Sequence, residues 1–470
     1  MTQEEKFQKM TTEPVSSLVG RLAVPTILSM LVTSFYNMVD TYFVGKISTS
    51  ASGAVGVVFS LMAIIQAFGF MFGHGSGNFL ARKLGEKKEE EAEIIANAGF
   101  FFAFSFGVIF SVAGLLNLDR LAYLLGSTDT ILPYARSYMG PILVGAPWMM
   151  ASIVLNNEIR YQGNAKTAMF GIMAGAVINI GLDPLLMFVF KLGIMGAALA
   201  TISGQLVSFF ILLWTTGRAG NIKITLKRNP FAFRYLWEIV SGGLPSLFRQ
   251  GLASVSGILL NVVAKKVAGP LYADATIAGM AIVSKISMSL NSTVIGFGQG
   301  FQPVCSFNFG AARYKRVKEA FLFSVKVCAA LMLVVTVVCF LFAPFIVEIF
   351  RKGDAKVLEV GAFALRAQSI TYVFGVWIIL TNMLLQASGR AFGATVISSC
   401  RSGLCFIPII LIIPHFLGIT GVQISQALAD MLAFCISLFG GLYFLRKLDR
   451  MEAEGKAVKE EAAENANSKQ

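Results

Sequence analysis

The sequence predicts an all-α membrane protein whose twelve transmembrane helices form two pseudo-symmetric six-helix bundles. Composition is the first reason: of 470 residues, 56% are hydrophobic and only 14% are charged, with a mean hydropathy of +0.70. Soluble domains carry about 25% charged residues. The other two reasons are a series of apolar stretches of membrane-spanning length and a repeat that relates the two halves of the chain.

Apolar stretches long enough to cross a bilayer recur along the whole chain. A helix of about 20 mainly apolar residues crosses the hydrocarbon core. The predicted spans are 20–44, 54–80, 94–116, 133–157, 166–190, 193–216, 239–263, 275–304, 319–343, 357–386, 392–413 and 418–445. Lysine and arginine are concentrated in alternate connections, on the side of the N-terminus. The positive-inside rule therefore places both termini in the cytoplasm.

Short motifs recur in the second half of the chain at a nearly constant distance. The pairs are Gly73-His74-Gly75 with Gly298-Gln299-Gly300, Gly85 with Gly310, Leu192–Gly196 with Leu417–Gly421, Gly163 with Gly389, and Pro25 with Pro245. Each half would hold six spans, an even number, so both halves have the same orientation. A substrate cavity is then expected between two bundles that rock against each other. The glycines at positions 69, 73 and 77 should allow close helix contact.

These features divide the chain into five segments. They are a cytoplasmic N-terminus (1–19), an N-terminal six-helix lobe (20–216), a cytoplasmic linker (217–237), a C-terminal six-helix lobe (238–445) and a cytoplasmic tail (446–470). The tail is rich in charged residues and poor in apolar ones, which is typical of a solvated end.

Composition and motifs exclude several classes of function. The net charge of +13 follows from the uneven loop charges, and no RNA- or DNA-binding motif is present. The six cysteines form no C-x-x-C pair and there are only two histidines, so no zinc or redox site is expected. The sequences H-E-x-x-H, G-x-S-x-G and the Walker loop are absent. We therefore expect no enzyme, no cofactor and no nucleic-acid partner.

The first span combines a helix-bending residue with a buried acid. Pro25 lies inside the apolar run, where its ring and missing N–H should bend a helix. Asp40 lies one turn after Tyr36 in the far half of the same span. A carboxylate at membrane depth costs at least ~2.5 kcal/mol, so such groups usually face a cavity, a cation or a proton path. The span is therefore expected to be a moving, ion-coupled part.

Polar residues from three further spans are candidates for the same site. Asn179 and Asp183 are one turn apart on one face of the fifth span, and Pro184 should interrupt the helix directly after them. Carboxylate, amide and hydroxyl oxygens suit Na⁺ or a proton relay. The candidates are Tyr36, Asp40, Asn156, Glu158, Asn179, Asp183 and Thr201. Interhelical hydrogen bonding alone accounts for Asn179 and Thr201 but not for two buried acids.

Three basic residues lie deep in the second half. Arg249, Lys285 and Arg401 each lie about ten residues into a predicted span, ~15 Å from its end and beyond a comfortable snorkel. Two interpretations stay open. The residues form either a pocket for an anionic or zwitterionic group of the substrate, or a structural ion-pair network with Asp430, the deep acid available nearby.

These features together resemble the MATE family, the multidrug and toxic compound extrusion transporters, over about residues 15–450. The resemblance rests on the twelve spans, the two similar halves, the LAVP sequence that begins the first span, and the Asp40/Asp183 pair. It is strongest to the branch with MepA- and DinF-like members, whose first-half cluster binds the coupling cation or proton. The resemblance implies that role for Tyr36, Asp40, Asn156, Asn179, Asp183 and Thr201. No acid matches the second-half site that other members use.

The resemblance implies an antiporter that exports amphipathic small molecules or drugs while H⁺ or Na⁺ enters, by alternating access. The alternative is a flippase or exporter of an anionic or lipid-linked metabolite that uses the basic residues of the second half. Either protein would act in the cell membrane, with small-molecule substrates and the lipid bilayer as partners, and we expect it to function as a monomer. Bending at Pro25 would accompany changes in ion occupancy.

Overall fold

Helices joined by short turns make up the structure, a computed structural model that describes residues 2–45, 47, 49–218, 220–225, 230–351 and 353–467. The first helices are α1 (Gln3–Thr12), α2 (Val15–Gly45), α3 (Thr49–Gly85), α4 (Glu89–Leu116), α5 (Leu118–Leu124), α6 (Leu132–Tyr161), α7 (Ala165–Pro184) and α8 (Ile194–Thr215). A π-helical turn, Leu185–Val189, follows α7.

The remaining helices begin after a short 3₁₀ helix at Pro230–Tyr235. They are α9 (Leu236–Gly310), α10 (Tyr314–Leu341), α11 (Ala343–Phe350), α12 (Ala355–Ser369), α13 (Tyr372–Ala387), α14 (Ala391–Ser399) and α15 (Phe406–Asn467). A second π-helical turn, Cys400–Leu404, joins α14 to α15.

The residues fold into two compact units. The first holds Gly20–Gly251 together with the N-terminal residues up to Met10, and the second holds Thr11–Val19 together with the chain from Leu252 onward. The beginning of α9 therefore belongs to the first unit. The lobe boundaries expected from the repeat, at residues 216 and 238, stay a prediction.

Ten helical segments in the described part of the chain are long and apolar enough to cross a membrane. The number is eleven when α12 and α13, which meet at a bend of 53°, count as one span. The long helix α9 is interrupted by Gly269, at φ 67°, and α15 by Gly418, at φ 60°. Division of the segment Ala391–Gly455 at Gly418 gives the twelve spans that the sequence predicts. The all-α membrane architecture is thus confirmed.

The internal repeat is visible in the backbone of the turns. Residues in left-handed conformations occur at matching positions of both halves, because a tight turn between helices requires positive φ there. The pairs are Lys87 (59°) with Ala312 (53°), Gly163 (85°) with Gly389 (74°), and Gly193 (54°) with Gly418 (60°). Gly193 and Gly418 also share ψ, at −135° and −136°. The two halves therefore reuse one backbone design.

The predicted row of glycines on α3 allows close packing against α6. A Cβ atom would lie 2.8 Å from the Ile153 side chain at position 69, 2.8 Å from Asn157 at position 73, and 2.3 Å from Tyr161 at position 77. The three glycines of α3 are spaced four residues apart, and so are the three side chains of α6 that face them. Each glycine therefore receives one side chain of α6. Larger residues at these positions would separate the two helices.

A second close approach joins α3 to the beginning of α9. A Cβ atom on Gly75 would lie 1.9 Å from the carbonyl oxygen of Ile239, and one on Gly243 would lie 1.9 Å from that of Met71. Only glycine permits two backbones to approach so closely. The crossing explains why α9 begins within the first unit.

A buried lysine fastens α1 to the segment that follows α8. Lys6 Nζ donates hydrogen bonds to Gly220 O at 2.8 Å and Asn221 Oδ1 at 2.9 Å. The same segment is held farther along by Ile222 N, which donates to Gln162 Oε1 at 2.7 Å. Burial lowers the pKa of Lys6 from its ordinary value of 10.5 to about 8.

We expect the attachment of α1 to strengthen as the pH rises through about 8. Below that value the attached helix must bury a charged amine, and this cost disappears between the pKa of about 8 and the ordinary value of 10.5. The gain is at most about 3 kcal/mol. Hydrogen-exchange protection factors of α1 should therefore rise with pH, and Lys6→Met should remove the rise. Protection that is independent of pH, or an equal effect of the exposed-residue control Lys166→Met, would contradict this account.

Candidate functional site

The first acid of the candidate site is held by a tyrosine from α6. Asp40 lies near the end of α2, and Tyr138 Oη donates a 2.8 Å hydrogen bond to its Oδ2. Tyr138 is buried, with 1% of its surface exposed. The sequence analysis missed Tyr138 because a tyrosine inside an apolar span is usual for core packing. Its position in the span that also carries Asn156 was the available signal.

The second acid lies on α7 beside two of its predicted neighbours. Asn179 Nδ2 donates to Asp183 Oδ1 at 3.4 Å and to Thr201 Oγ1 at 3.3 Å, and all three side chains are buried. Pro184 ends α7 as expected, and the chain continues as the π-helical turn Leu185–Val189. Proline removes a helix hydrogen bond, and π-helical turns are frequent at functional sites.

Tyr138 connects the two acids into one cluster. Its hydroxyl interacts with Thr201 as well as with Asp40, and it lies near Asp183. Asp40 and Asp183 are themselves close enough for their charges to interact. Tyr36 is buried one turn before Asp40 and is also within electrostatic reach of it. We call Tyr36, Asp40, Tyr138, Asn179, Asp183 and Thr201 the acid cluster.

Three buried oxygen atoms of the acid cluster have no hydrogen-bond donor. They are Asp40 Oδ1, Asn179 Oδ1 and Asp183 Oδ2. Buried polar atoms are normally paired, because an unpaired one costs about 1–3 kcal/mol. All three atoms are acceptors, so a proton on a carboxylate or a bound Na⁺ would satisfy them. The described residues include no group of three or more His, Cys, Asp or Glu side chains arranged to hold a metal ion.

Asn156, predicted for this cluster, makes its hydrogen bond elsewhere. Its Nδ2 donates to Ala168 O at 2.9 Å. Ala168 precedes Asn179 by eleven residues, so this hydrogen bond lies about 16 Å along α7 from Asn179. In the second half Asn382 Nδ2 donates to Ala394 O at 2.5 Å, in the same arrangement. Because both halves repeat this bond, its evident role is to tie two neighbouring helices together. The coupling role of Asn156 stays a prediction that its contacts do not support.

Pro25 leaves α2 continuous in this structure. The helix runs from Val15 to Gly45, and the side chains of Thr26 and Ser29 donate to the carbonyls of Leu22 and Pro25 at 2.8 and 2.9 Å. Serine and threonine back-bonding of this kind often accompanies helix bending. A bend at Pro25 therefore stays a prediction about the transport cycle.

Arg401 forms an ion pair with Asp430 in the second unit. Arg401 Nε donates to Asp430 Oδ1 at 2.9 Å, and Nη2 to Oδ2 at 3.4 Å. Gln426 Nε2 and Gln368 Nε2 add bonds of 3.0 Å each, and Thr371 Oγ1 lies 3.3 Å from Oδ2. Both carboxylate oxygens are thus saturated. This contact favours the structural interpretation of Arg401.

The donors to Asp430 include residues that lie in or beside irregular backbone. Arg401 lies in the π-helical turn Cys400–Leu404, while Gln368 and Thr371 flank the 53° bend between α12 and α13. Both features interrupt regular helices beside the buried carboxylate. Three of the donors to Asp430 therefore lie at or beside interruptions of regular helix.

The three basic residues are divided between the two compact units. Arg249 belongs to the first unit, where it is buried and lies within electrostatic reach of His74 and Tyr161. Lys285 and Arg401 belong to the second unit, and Lys285 is exposed. A shared anion-binding role therefore stays a prediction.

Removal of Arg401 alone should strongly destabilise the protein. Arg401→Gln would leave Asp430 buried without its counter-charge, which costs about 3–5 kcal/mol in comparable pairs. The double variant Arg401→Gln/Asp430→Asn removes both charges and should recover most of the thermal unfolding midpoint. Arg136→Gln breaks the exposed pair with Asp119 and should change the midpoint little. An unaltered midpoint in Arg401→Gln would show that the pair is not structural.

The family model MatE matches two segments of the chain, residues 25–185 and 245–412. The segments correspond to the two halves of the internal repeat, and the first contains both acids of the acid cluster. The match covers more than half of the chain.

Relatives and solved structures align over almost the full length. The multidrug export protein MepA of Staphylococcus aureus (strain MRSA252) is 25% identical over 456 residues, 96% of this chain and 98% of that protein. MepA of Staphylococcus saprophyticus is 26% identical over 437 residues, 92% and 94% of the two chains. A MATE crystal structure in the bent conformation superimposes with a TM-score of 0.87 at 24% identity, covering 95% of this chain and 99% of that one.

A further solved structure is a MOP superfamily transporter from Pyrococcus furiosus. It superimposes with a TM-score of 0.86 at 23% identity and covers 94% of this chain and 98% of that one. These superpositions confirm the fold. With the family model matched on both halves, the chain belongs to the MatE family, whose relatives here are transporters rather than enzymes.

Proposed function

We propose that this protein is a cation-coupled antiporter that exports amphipathic small molecules or drugs by alternating access. The acid cluster is the observation that carries the proposal. It holds two interacting carboxyl groups and three buried acceptor oxygens without donors. Such a site suits an ion that enters and leaves during a cycle better than a permanent structural role.

Ion occupancy would act as the switch. Two carboxylates that lie close together in a buried site repel each other unless a proton or cation is shared between them. An empty cluster would then favour a different packing of α2, α6 and α7 from an occupied one. Pro25, between the ends of α2, is the expected hinge for such a change.

The substrate class follows from the relatives. The S. aureus and S. saprophyticus proteins are described as multidrug export proteins, and identity over nearly the whole chain supports the same class of substrate here. The protein would act as a monomer in the cell membrane. Both termini would lie in the cytoplasm, because the connections on their side carry most of the lysine and arginine.

Export of an anionic or lipid-linked metabolite is the second candidate. The Pyrococcus furiosus transporter is described as having a binding pocket of reverse polarity, which suggested a different function for it. In this chain the exposed Lys285 supports the idea, whereas pairing of Arg401 with Asp430 weakens it.

Transport driven by separate gradients tests the proposal. Purified protein in liposomes should accumulate ethidium or a fluoroquinolone when a proton gradient or a Na⁺ gradient is imposed, and the effective gradient identifies the coupling ion. Added ATP should have no effect. Transport that ignores both gradients would reject the antiporter, while preference for an anionic dye over ethidium would favour the second candidate.

Neutral replacements of the two acids should uncouple transport. Asp40→Asn and Asp183→Asn keep the size of the side chain but remove a carboxylate that can exchange a cation, so gradient-driven ethidium transport should fall at least about tenfold. Asp274→Asn, at an exposed position on α9, serves as the control. Folding is monitored by the thermal midpoint. Full coupled transport in both cluster variants would remove the acid cluster from the mechanism.

A further inference from the structure

A third buried acid lies far from the acid cluster, near the other end of α6. Glu158 has 2% of its surface exposed and follows Tyr138 by twenty residues, or about 30 Å of helix. Sequence reasoning listed Glu158 among the polar candidates for the ion site, although the family resemblance implied no coupling role for it. Because it lies beside the turn that leads into α7, it is close to the end of the membrane span.

The surroundings of Glu158 leave half of its carboxyl group unpaired. Ser76 Oγ, on α3, donates a 2.8 Å hydrogen bond to Oε1. Oε2 is buried and has no hydrogen-bond partner. Gly99 on α4 makes room for the group, because a Cβ atom there would lie 2.8 Å from Oε1. The carboxyl group is therefore enclosed by one hydroxyl donor and a backbone surface.

The charged groups of the neighbouring helices are engaged elsewhere. Arg160, two residues along α6, donates through Nη2 to Asn157 and lies 3.4 Å from His74 Nε2. His74 Nδ1 is 2.9 Å from Ser246 Oγ.

Other charged side chains near this end belong to α3, α4 and α9. Arg249 on α9 is within electrostatic reach of His74 and Tyr161. Arg82 on α3 interacts with Glu86 and Tyr161, and Glu93 on α4 is exposed, six residues before Gly99. The sequence of α8 contains no charged residue. None of the ion pairs found among the described residues includes Glu158.

We propose that Glu158 is a second proton-binding site of the first unit. An ionised carboxylate buried without a counter-ion is strongly disfavoured, whereas the neutral acid carries no charge and costs far less to bury. In the neutral acid Oε1 keeps the hydrogen bond from Ser76. The proton lies on Oε2, the oxygen without a donor. Release of the proton leaves a carboxylate, so the group must meet water or a cation before it ionises. A conformational change at this end of α6 would supply that access.

The position favours a proton over a metal ion as the ligand. Na⁺ requires several oxygen ligands, while the described contacts of the Glu158 carboxyl group supply a single hydroxyl, that of Ser76, which donates to Oε1. A buried hydroxyl pair, Ser152 and Ser208 at 3.4 Å, lies between Glu158 and the acid cluster.

Infrared difference spectroscopy on the full-length protein in lipid nanodiscs tests the site without any transport assay. Acidification should produce the carbonyl band of a protonated carboxyl group that is lost in Glu158→Gln and retained in Asp40→Asn/Asp183→Asn. Glutamine imitates the neutral acid, so folding should be preserved. Glu158→Asp, which keeps an acid, should retain a shifted band if Gln perturbs the fold. Glu93→Gln removes an exposed carboxylate and should leave the band in place.

A band that persists in Glu158→Gln, or that no pH change affects, would overturn the proposal. The role of Glu158 in the transport cycle rests on the proposed antiport. Ethidium transport into liposomes under a proton gradient tests that role. If the wild-type protein is coupled to the gradient and Glu158→Gln moves fewer protons per ethidium than the wild type, the role is supported. An unchanged proton-to-ethidium ratio overturns it. Wild type without coupling to any gradient would reject the antiporter instead, while the infrared result would still decide whether Glu158 binds a proton.

Discussion

The absence of water in the bilayer core is the constraint on which this structure depends. Every buried polar group must find its partner within the protein, because an unpaired one costs several kcal/mol in hydrocarbon. Most groups meet this requirement, and the bonds from Asn156 to Ala168 O and from Asn382 to Ala394 O do so in the same way in both halves. Three acids among the described residues, Asp40, Asp183 and Glu158, each keep a buried oxygen atom without a hydrogen-bond partner, and they are therefore informative. They mark places where an ion, a proton or water completes the structure.

Comparison of the buried acids separates structural from exchangeable sites. Asp430 accepts hydrogen bonds from an arginine and two glutamines, so its charge is neutralised and both oxygens are occupied. Asp183 accepts one long bond from Asn179 and has an oxygen without a donor. Burial alone does not distinguish the two, since both are fully enclosed. The number of donors and the presence of a counter-charge do, and these follow from contacts that no single segment of sequence contains.

Sequence reasoning predicted the spans, the repeat and both acids of the cluster, because hydropathy, glycine spacing and charge at depth are local properties. It missed Tyr138, whose hydroxyl is significant only once α6 is known to pass between Asp40 and Thr201. It placed Asn156 in the cluster by family resemblance, whereas the hydrogen bond of Asn156 lies about 16 Å along α7 from Asn179. Arg401 was left with two interpretations because the distance to Asp430 depends on how the helices pack.

The repeat shows how one backbone supports two different sites. At the shift of 225 residues that relates Gly193 to Gly418, Thr201 corresponds to Gln426, and each contacts the buried polar network of its own unit. Asp183, however, corresponds to Pro408, so the second half has no acid at the place where the first half has an incompletely paired one. The second half instead fixes its acid, Asp430, with a permanent counter-ion. Since the helix-tying asparagines are retained in both halves, the scaffold requires them in each copy. The acids differ between the halves, which is expected if only one copy binds the coupling ion.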